Sequence, residues 1–187
     1  MTQAAEGLPR RRFTVAELEA MVAAGILDEH ERIELIGGEV VPMSPKGNHH
    51  EIMKARLTIH WARRLPERFT FVTETTFRLT PDTYIEPDFI FWDNAAGIAG
   101  LKPETAHFAV EVADSSYAYD TGRKAAIYAS FGIPELWVIH AVRLETRVHR
   151  KPSPQGYLDI VDHGPGVELV PAFAPELAVT LSALDLH

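Results

Sequence analysis

Cysteine is absent from the 187 residues, so neither a disulfide framework nor a thiolate-held zinc site can be built, and the usage fits a reducing cytoplasm. No stretch reaches the ~18 uninterrupted apolar residues of a membrane span; the best candidate, Ala125 to Val142, is broken by Glu135. Met1 to Pro9 hold no apolar run behind a basic start, so no secretory signal is legible. Internal repeats and low-complexity segments are missing too. Positive charge is scarce: 26 acidic residues against 18 Lys plus Arg give a net charge of -8. That sign opposes sequence-independent binding to nucleic acid, whose affinity comes from neutralising phosphates. What is present is ordinary globular composition, 46% apolar and 24% charged, in a length that suits one domain. The expectation is a cytoplasmic protein without a membrane segment, with a flexible basic tail over residues 1–12 and a single domain over 13–187.

The basic residues are unevenly spread. They gather at Arg10-Arg11-Arg12, at Lys54, Arg56, Arg63, Arg64 and Arg68, and at Arg143, Arg147, Arg150 and Lys151. From Pro152 to His187 there is no Lys or Arg, only acids such as Asp159, Asp162 and Glu168. One part of the surface could meet an anion while the C-terminal part repels it; equally, such clusters are usually just solvated faces.

Local signals order the elements. Thr14-Val-Ala-Glu17 forms a capping box that opens a helix ended by Gly25. Arg32 to Ile36 and Glu39 to Met43 flank Gly37-Gly38, a two-residue hairpin turn. A helix follows from His49 to Leu65, stopped by Pro66. Strands are expected at Phe69 to Leu79, Tyr84 to Trp92 and His107 to Ala113. Asp120 can cap a helix running to Phe131, which Gly132 and Pro134 stop. Further strands are expected at Glu135 to Ala141, Glu145 to Arg150, Tyr157 to Val161 and Val167 to Val170. The order predicts an α/β fold, a mixed sheet with helices on its faces.

Two acids stand out. Strand alternation puts Asp88 on a face with Glu86, Ile90 and Trp92, and Glu111 on a face with Ala109 and Ala113. A carboxylate within Phe-Ala-Val-Glu-Val-Ala needs a cation, a metal or hydrogen-bond donors. Two on neighbouring strands would make an oxygen-lined pocket suited to Mg²⁺ or Mn²⁺; either alone could instead pair with Arg78 or Arg123. In a helix begun at Asp120, the side chains of Asp120, Lys124 and Tyr128 stack on one face. Lys124 could then reach the pocket, to stabilise an oxyanion or help deprotonate a water, or simply pair with Asp120.

Glu86-Pro87-Asp88, Val110-Glu111-Val112 and Asp120-xxx-Lys124-xxx-Tyr128-xxx-Gly132-Ile-Pro-Glu135-Leu-Trp137 together resemble the restriction-endonuclease-like family of the PD-(D/E)XK phosphodiesterase superfamily. Arg32-Ile-Glu34-Leu-Ile-Gly-Gly38-Glu39-Val-Val-Pro-Met43-Ser44-Pro45, followed by His50, resembles the family's opening pattern, and the likeness runs from Phe13 to Arg150. The resemblance implies a restriction-endonuclease-like core: a central mixed sheet flanked by helices, with an N-terminal helix and β-hairpin and extra C-terminal strands. It implies a metal held by Asp88, Glu111 and the Val112 carbonyl. It implies Lys124 as the catalytic lysine, moved to a helix from the usual place two residues after the glutamate, which here is Ala113. Glu34 matches a further acidic position and His50 a polar one. Asp114-Ser115-Ser116 stands where Ser-Pro-Ser is usual, and His140 where an Asp often follows.

The implied function is a metal-dependent endonuclease acting on nucleic acid, DNA favoured. A metal supplies the positive charge that the net charge of -8 lacks. The competing reading is a non-catalytic nucleic-acid or protein-binding module on the same scaffold. His49, His50 and His60 lack zinc-ligand spacing, since Lys54 stands where a zincin needs His. No serine sits in G-x-S-x-G, and Thr121-Gly-Arg-Lys124 lacks a P-loop's glycines. Trp61, Trp92 and Trp137 read as core. The apolar run Phe173-Ala-Pro-Glu-Leu-Ala-Val-Thr-Leu could pack on a second copy, and cutting two strands would favour a two-fold homodimer.

Overall fold

The structure is a computed structural model that describes residues 10–186. Of the basic tail expected over 1–12, residues 1–9 lie outside the described residues; Arg10 pairs with Glu39 at 3.7 Å and Arg11 with Glu17 at 2.5 Å. The chain divides into two compact units, the first made of residues up to Met43 with Thr76–Glu86, the second of Ser44–Thr75 with Pro87–His187.

In the first unit, α1 (Val15–Ala23) opens on the expected capping box: Thr14 accepts from the Glu17 N–H while Glu17 accepts from the Thr14 N–H. β1 (Ile33–Ile36) and β2 (Glu39–Pro42) form the hairpin, and Gly37 and Gly38 both have positive φ, 58° and 78°. A two-residue turn that follows the strand twist needs that conformation at both positions.

The second unit begins with α2 (Asn48–Ala62) and β3 (Phe69–Val72). Between β3 and β4 (Phe77–Thr80), where one strand was expected from Phe69 to Leu79, the chain breaks. Glu74 there has φ 52° and donates its N–H to the Pro87 carbonyl, while Lys46 and Lys54 hold its carboxylate. The strand expected over Tyr84 to Trp92 is also two. β5 (Thr83–Ile85) joins β4, β1 and β2 in the first unit's sheet, ordered β2-β1-β5-β4, while β6 (Phe89–Asp93) belongs to the second unit's. Pro87 has no N–H to give a ladder, so the split falls where a continuous strand would be weakest.

The large sheet adds β7 (Ala106–Ala113), β8 (Glu135–His140), β9 (Glu145–Ser153) and β10 (Gly156–His163), in the order β10-β9-β8-β7-β6-β3. β7 and β8 run parallel and every other neighbouring pair is antiparallel. Between β7 and β8 lie α3 (Tyr117–Tyr119), one π turn over Asp120–Lys124, and α4 (Ala125–Ser130). The parallel pairing needs such a crossover. Asp120 does not cap this helix: it starts three residues earlier behind Ser116, whose hydroxyl donates to the Asp120 carboxylate at 2.5 Å.

Strand alternation sends Phe89, Phe91, Phe108, Val110, Trp137 and Val148 to one face, where α2 lays Met53, Leu57 and Trp61 in a stripe. Trp61 stands edge-on to Phe89 and Phe91, at 4.9 and 5.4 Å between ring centroids, the favoured geometry for aromatic pairs. β11 (Glu168–Leu169) and β12 (Val179–Thr180) close the chain as a small antiparallel pair. Ala174, Leu177, Val179 and Leu181 are buried in this same core, and the Trp61 indole donates to the Leu177 carbonyl at 3.0 Å. The apolar run 173–181, expected to face a second copy, is therefore covered by its own chain. Trp92, like Trp61 and Trp137, is buried.

Candidate active site

Asp88 sits in the bend that leads into β6, one step beyond the last paired residues, Phe89 opposite Val110. Its Oδ2 accepts the Val112 N–H at 2.7 Å, and its Oδ1 lies 2.9 Å from His50 Nε2. His50 is one turn ahead of Met53 on the buried stripe of α2, so the helix that covers the core ends in a polar group at the carboxylate. The other His50 nitrogen meets Glu51 Oε1 at 3.1 Å, and Lys54 lies 3.3 Å from the Glu51 carboxylate. Burial alone would push the Asp88 carboxyl up; the His50 hydrogen bond and charge, the Val112 N–H and the Lys124 ammonium outweigh it and hold it below the usual carboxylate range.

Glu111 points from β7 to the face away from α2, toward the crossover. Lys124, last residue of the π turn, brings Nζ to 3.0 Å from Glu111 Oε1, and the Tyr128 hydroxyl one turn on donates to the same oxygen at 2.5 Å. All four side chains are nearly closed to solvent: Asp88 is 7% exposed, Glu111 4%, Lys124 4% and Tyr128 0%. A lysine and two carboxylates sharing a buried volume is costly unless the charges compensate. Here they do so through named contacts.

Val112 contributes its N–H to Asp88 and its side chain to the core. Glu34 lies in the first unit on β1, 2% exposed, where its Oε1 accepts the Glu86 N–H at 3.0 Å. His140 accepts the Val142 and Arg143 N–H groups on Nδ1 at 3.3 and 3.4 Å, so it braces the turn after β8. The Asp114 carboxylate packs against Gly47 at the start of α2, and a side chain at that position would have to displace it.

Sequence reasoning left two members of the site without a role. Tyr128 was visible only as a residue four after Lys124, and that spacing is the signal that could have assigned it. The partner of His50 is 38 residues away in the chain, and nothing local points to it. Arg78 pairs with Glu19, not with either site acid.

Asp88 and Glu111 offer carboxylate oxygens, the donors that Mg²⁺ and Mn²⁺ take together with water. Among the described residues no group of three or more His, Asp or Glu is arranged as a ready metal cage. Among the described residues no helix is long and apolar enough to cross a membrane.

The basic clusters are largely spent on internal pairs. Arg56 reaches Asp185, Arg68 reaches Glu176, Arg147 reaches Asp162 and Lys151 reaches Asp159. Arg123, next to Lys124 and exposed, has no partner among the described residues.

A family model described as "Putative restriction endonuclease" (Uma2) matches residues 15–182. Among solved structures, the chain resembles a nuclease, described as putative, that belongs to DUF820 from Anabaena variabilis ATCC 29413. The TM-score is 0.68 at 17% identity, covering 91% of this chain and 96% of that one; at that identity the likeness shows the fold. None of the curated proteins matches.

Proposed function

Since the chain belongs to the Uma2 family, described as "Putative restriction endonuclease", we propose that it is a divalent-metal-dependent endonuclease that hydrolyses phosphodiester bonds, with DNA the favoured substrate and the cytoplasm its compartment. The observation that carries this reading is the contact of Lys124 with Glu111, at 3.0 Å and 4% exposure on both residues. A folded scaffold has no need of a buried lysine delivered by a π turn, and such turns concentrate at functional sites.

Asp88, Glu111 and the Val112 carbonyl would hold Mg²⁺ or Mn²⁺. The ion would supply charge neutralisation at the phosphate and a more acidic bound water. His50 positions Asp88 by fixing one carboxylate oxygen, while the Val112 N–H fixes the other. Lys124 is a donor: its ammonium orients the attacking water and faces the charge that accumulates on the phosphate oxygens as the new P–O bond forms and the old one breaks. Tyr128 holds Glu111 for that exchange. Glu34, in the first unit, matches the family's further acidic position. Arg123 is placed to meet a neighbouring phosphate. Acting on two strands would call for a two-fold pair of chains.

The test is incubation of the protein with long mixed-sequence DNA, single and double stranded, and with RNA, in Mg²⁺ and separately in Mn²⁺, with Asp88→Ala prepared identically. Cleavage by the parent alone supports the reading. Absence of cleavage on DNA and RNA alike would favour the non-catalytic binding module, for which the internal compensation of both acids by Lys124 and His50 is the supporting observation.

A further inference from the structure

The first unit holds a cavity of about 350 Å³ that the nuclease reading does not use. Val15, Leu18, Ile33 and Tyr84 form its inner wall, all at most 9% exposed. Around the opening stand Glu19, Asp28, Glu29, Glu31 and Glu86. The one basic lining residue, Arg78, is held by Glu19. The Asp28 carboxylate accepts the His30 N–H, Glu29 meets the His30 ring at 3.6 Å, and Glu31 has no cation beside it among the described residues. An apolar hollow beside three carboxylates without Lys or Arg partners is complementary to a group that is apolar along its stem and cationic at its head.

We propose that this cavity takes an arginine or lysine side chain from a basic segment of a partner protein. The methylene stem packs on Val15, Leu18 and Ile33, and the charged head lies among the carboxylates of the 28–31 turn. The acids favour a peptide over a free small amine. They are strung along both α1 and the 28–31 turn, past what one cation could neutralise, so a ligand with several basic residues is the better complement. Nothing in this depends on Asp88 or Glu111, so the site stands or falls apart from nuclease activity.

The probe is a fluorescein-labelled peptide of alternating leucine and arginine, titrated with the full chain at low salt and read by anisotropy. Its counterpart with glutamate in place of arginine serves as control. Asp28→Lys and Glu31→Lys change exposed side chains and leave the wall intact. Each is expected to weaken binding at least tenfold, while Glu168→Lys on β11, equal in charge change but in the other unit, leaves it within twofold. Equal weakening by Glu168→Lys would reduce the effect to net charge and overturn the site. No binding, or equal binding of the acidic peptide, would also overturn it. Displacement by butylguanidinium at concentrations comparable to the peptide would overturn the protein-segment occupant in favour of a free small cation.

Discussion

Glu111 on β7 and Glu135 on β8 occupy parallel neighbouring strands and are buried alike, at 4% and 2% exposure. Their partners differ in kind. Glu135 Oε1 accepts from the Trp137 indole at 2.7 Å and from Arg150 at 2.7 and 3.1 Å, while Oε2 accepts the Ala172 N–H at 2.7 Å. Its bonds tie β8, β9 and the segment after β11 together, and one of them is a backbone amide that cannot swing away. Glu111 is held by Lys124 and Tyr128, two side chains of one helical segment. Burial of a carboxylate therefore says little about its use. A carboxylate locked by backbone and guanidinium is a staple, and one held by side chains that can re-aim is available for chemistry.

The sharpest way to break that contrast is the pair Glu111→Gln and Glu135→Gln. Glu111→Gln is expected to lower DNA cleavage by at least ~10³-fold, about 4 kcal/mol in the barrier, while its circular dichroism stays that of the parent. Asp88→Asn and Lys124→Ala should do the same, and Lys124→Ala should keep most of the Mn²⁺ affinity. Glu135→Gln should cleave at the parental rate per folded molecule. Equal losses from both glutamates would erase the distinction.

Stability should rank them the other way. Glu135→Ala orphans the Ala172 N–H and the Trp137 indole and strands Arg150, at a cost of about 3 kcal/mol in urea unfolding. Replacing Glu111 and Lys124 together by Gln and Met removes both charges at once, and is expected to change stability by about 1 kcal/mol or less, in the stabilising direction. If that double variant proved as damaging as Glu135→Ala, the Glu111 pair would be structural after all.

The two glutamates were not equally legible in the sequence. Alternation around Phe108, Val110 and Val112 marked Glu111 as an acid on the opposite face, and helix spacing allowed Lys124 to approach it; local periodicity sufficed. Glu135 read only as the first residue of a buried strand, because Arg150 and Ala172 are 15 and 37 residues away. The same divide runs through the fold. Gly37-Gly38 and the Thr14–Glu17 box are local devices, and both appear as expected. The breaks at Glu74 and at Glu86–Asp88 were missed because β-propensity continues through them. Pro87 was a visible warning, but Glu74 takes a positive φ for want of no local residue type, held by lysines from α2 and the loop before it. The π turn likewise has no composition of its own.

His149 extends the contrast to a buried base. It is 1% exposed on β9, beside the Tyr157 ring at 5.4 Å, and neither ring nitrogen has a hydrogen bond of good geometry, although the Leu136, Arg147 and Thr121 backbones lie near. Burial pushes its pKa below 6.5, with Arg147 acting in the same sense. The unfolded chain thus binds a proton near pH 6.5 that the folded chain refuses, so stability is full above that pH and falls as pH drops toward the folded value. His60 and His140, both lowered by burial, add to this arm. His149→Phe should flatten the fall of the urea midpoint as pH drops below 6.5, and an unchanged slope would mean that His149 protonates equally in both states.

The smallest effect belongs to an exposed charge. Arg56, Arg68, Arg147 and Lys151 are tied to carboxylates of β10 or the C-terminal segment, and such pairs do not compete well for phosphate. Arg123 has no such tie among the described residues and directly precedes Lys124 in the π turn. Arg123→Ala should weaken binding to uncleavable DNA a few-fold, evenly across sequences, and should lower the slope of log affinity against log salt by about 1. Arg147→Ala, which removes a cation already paired with Asp162, should leave that slope unchanged. If the two variants shift it equally, phosphate is read by the diffuse field of the surface and not by the cation beside Lys124.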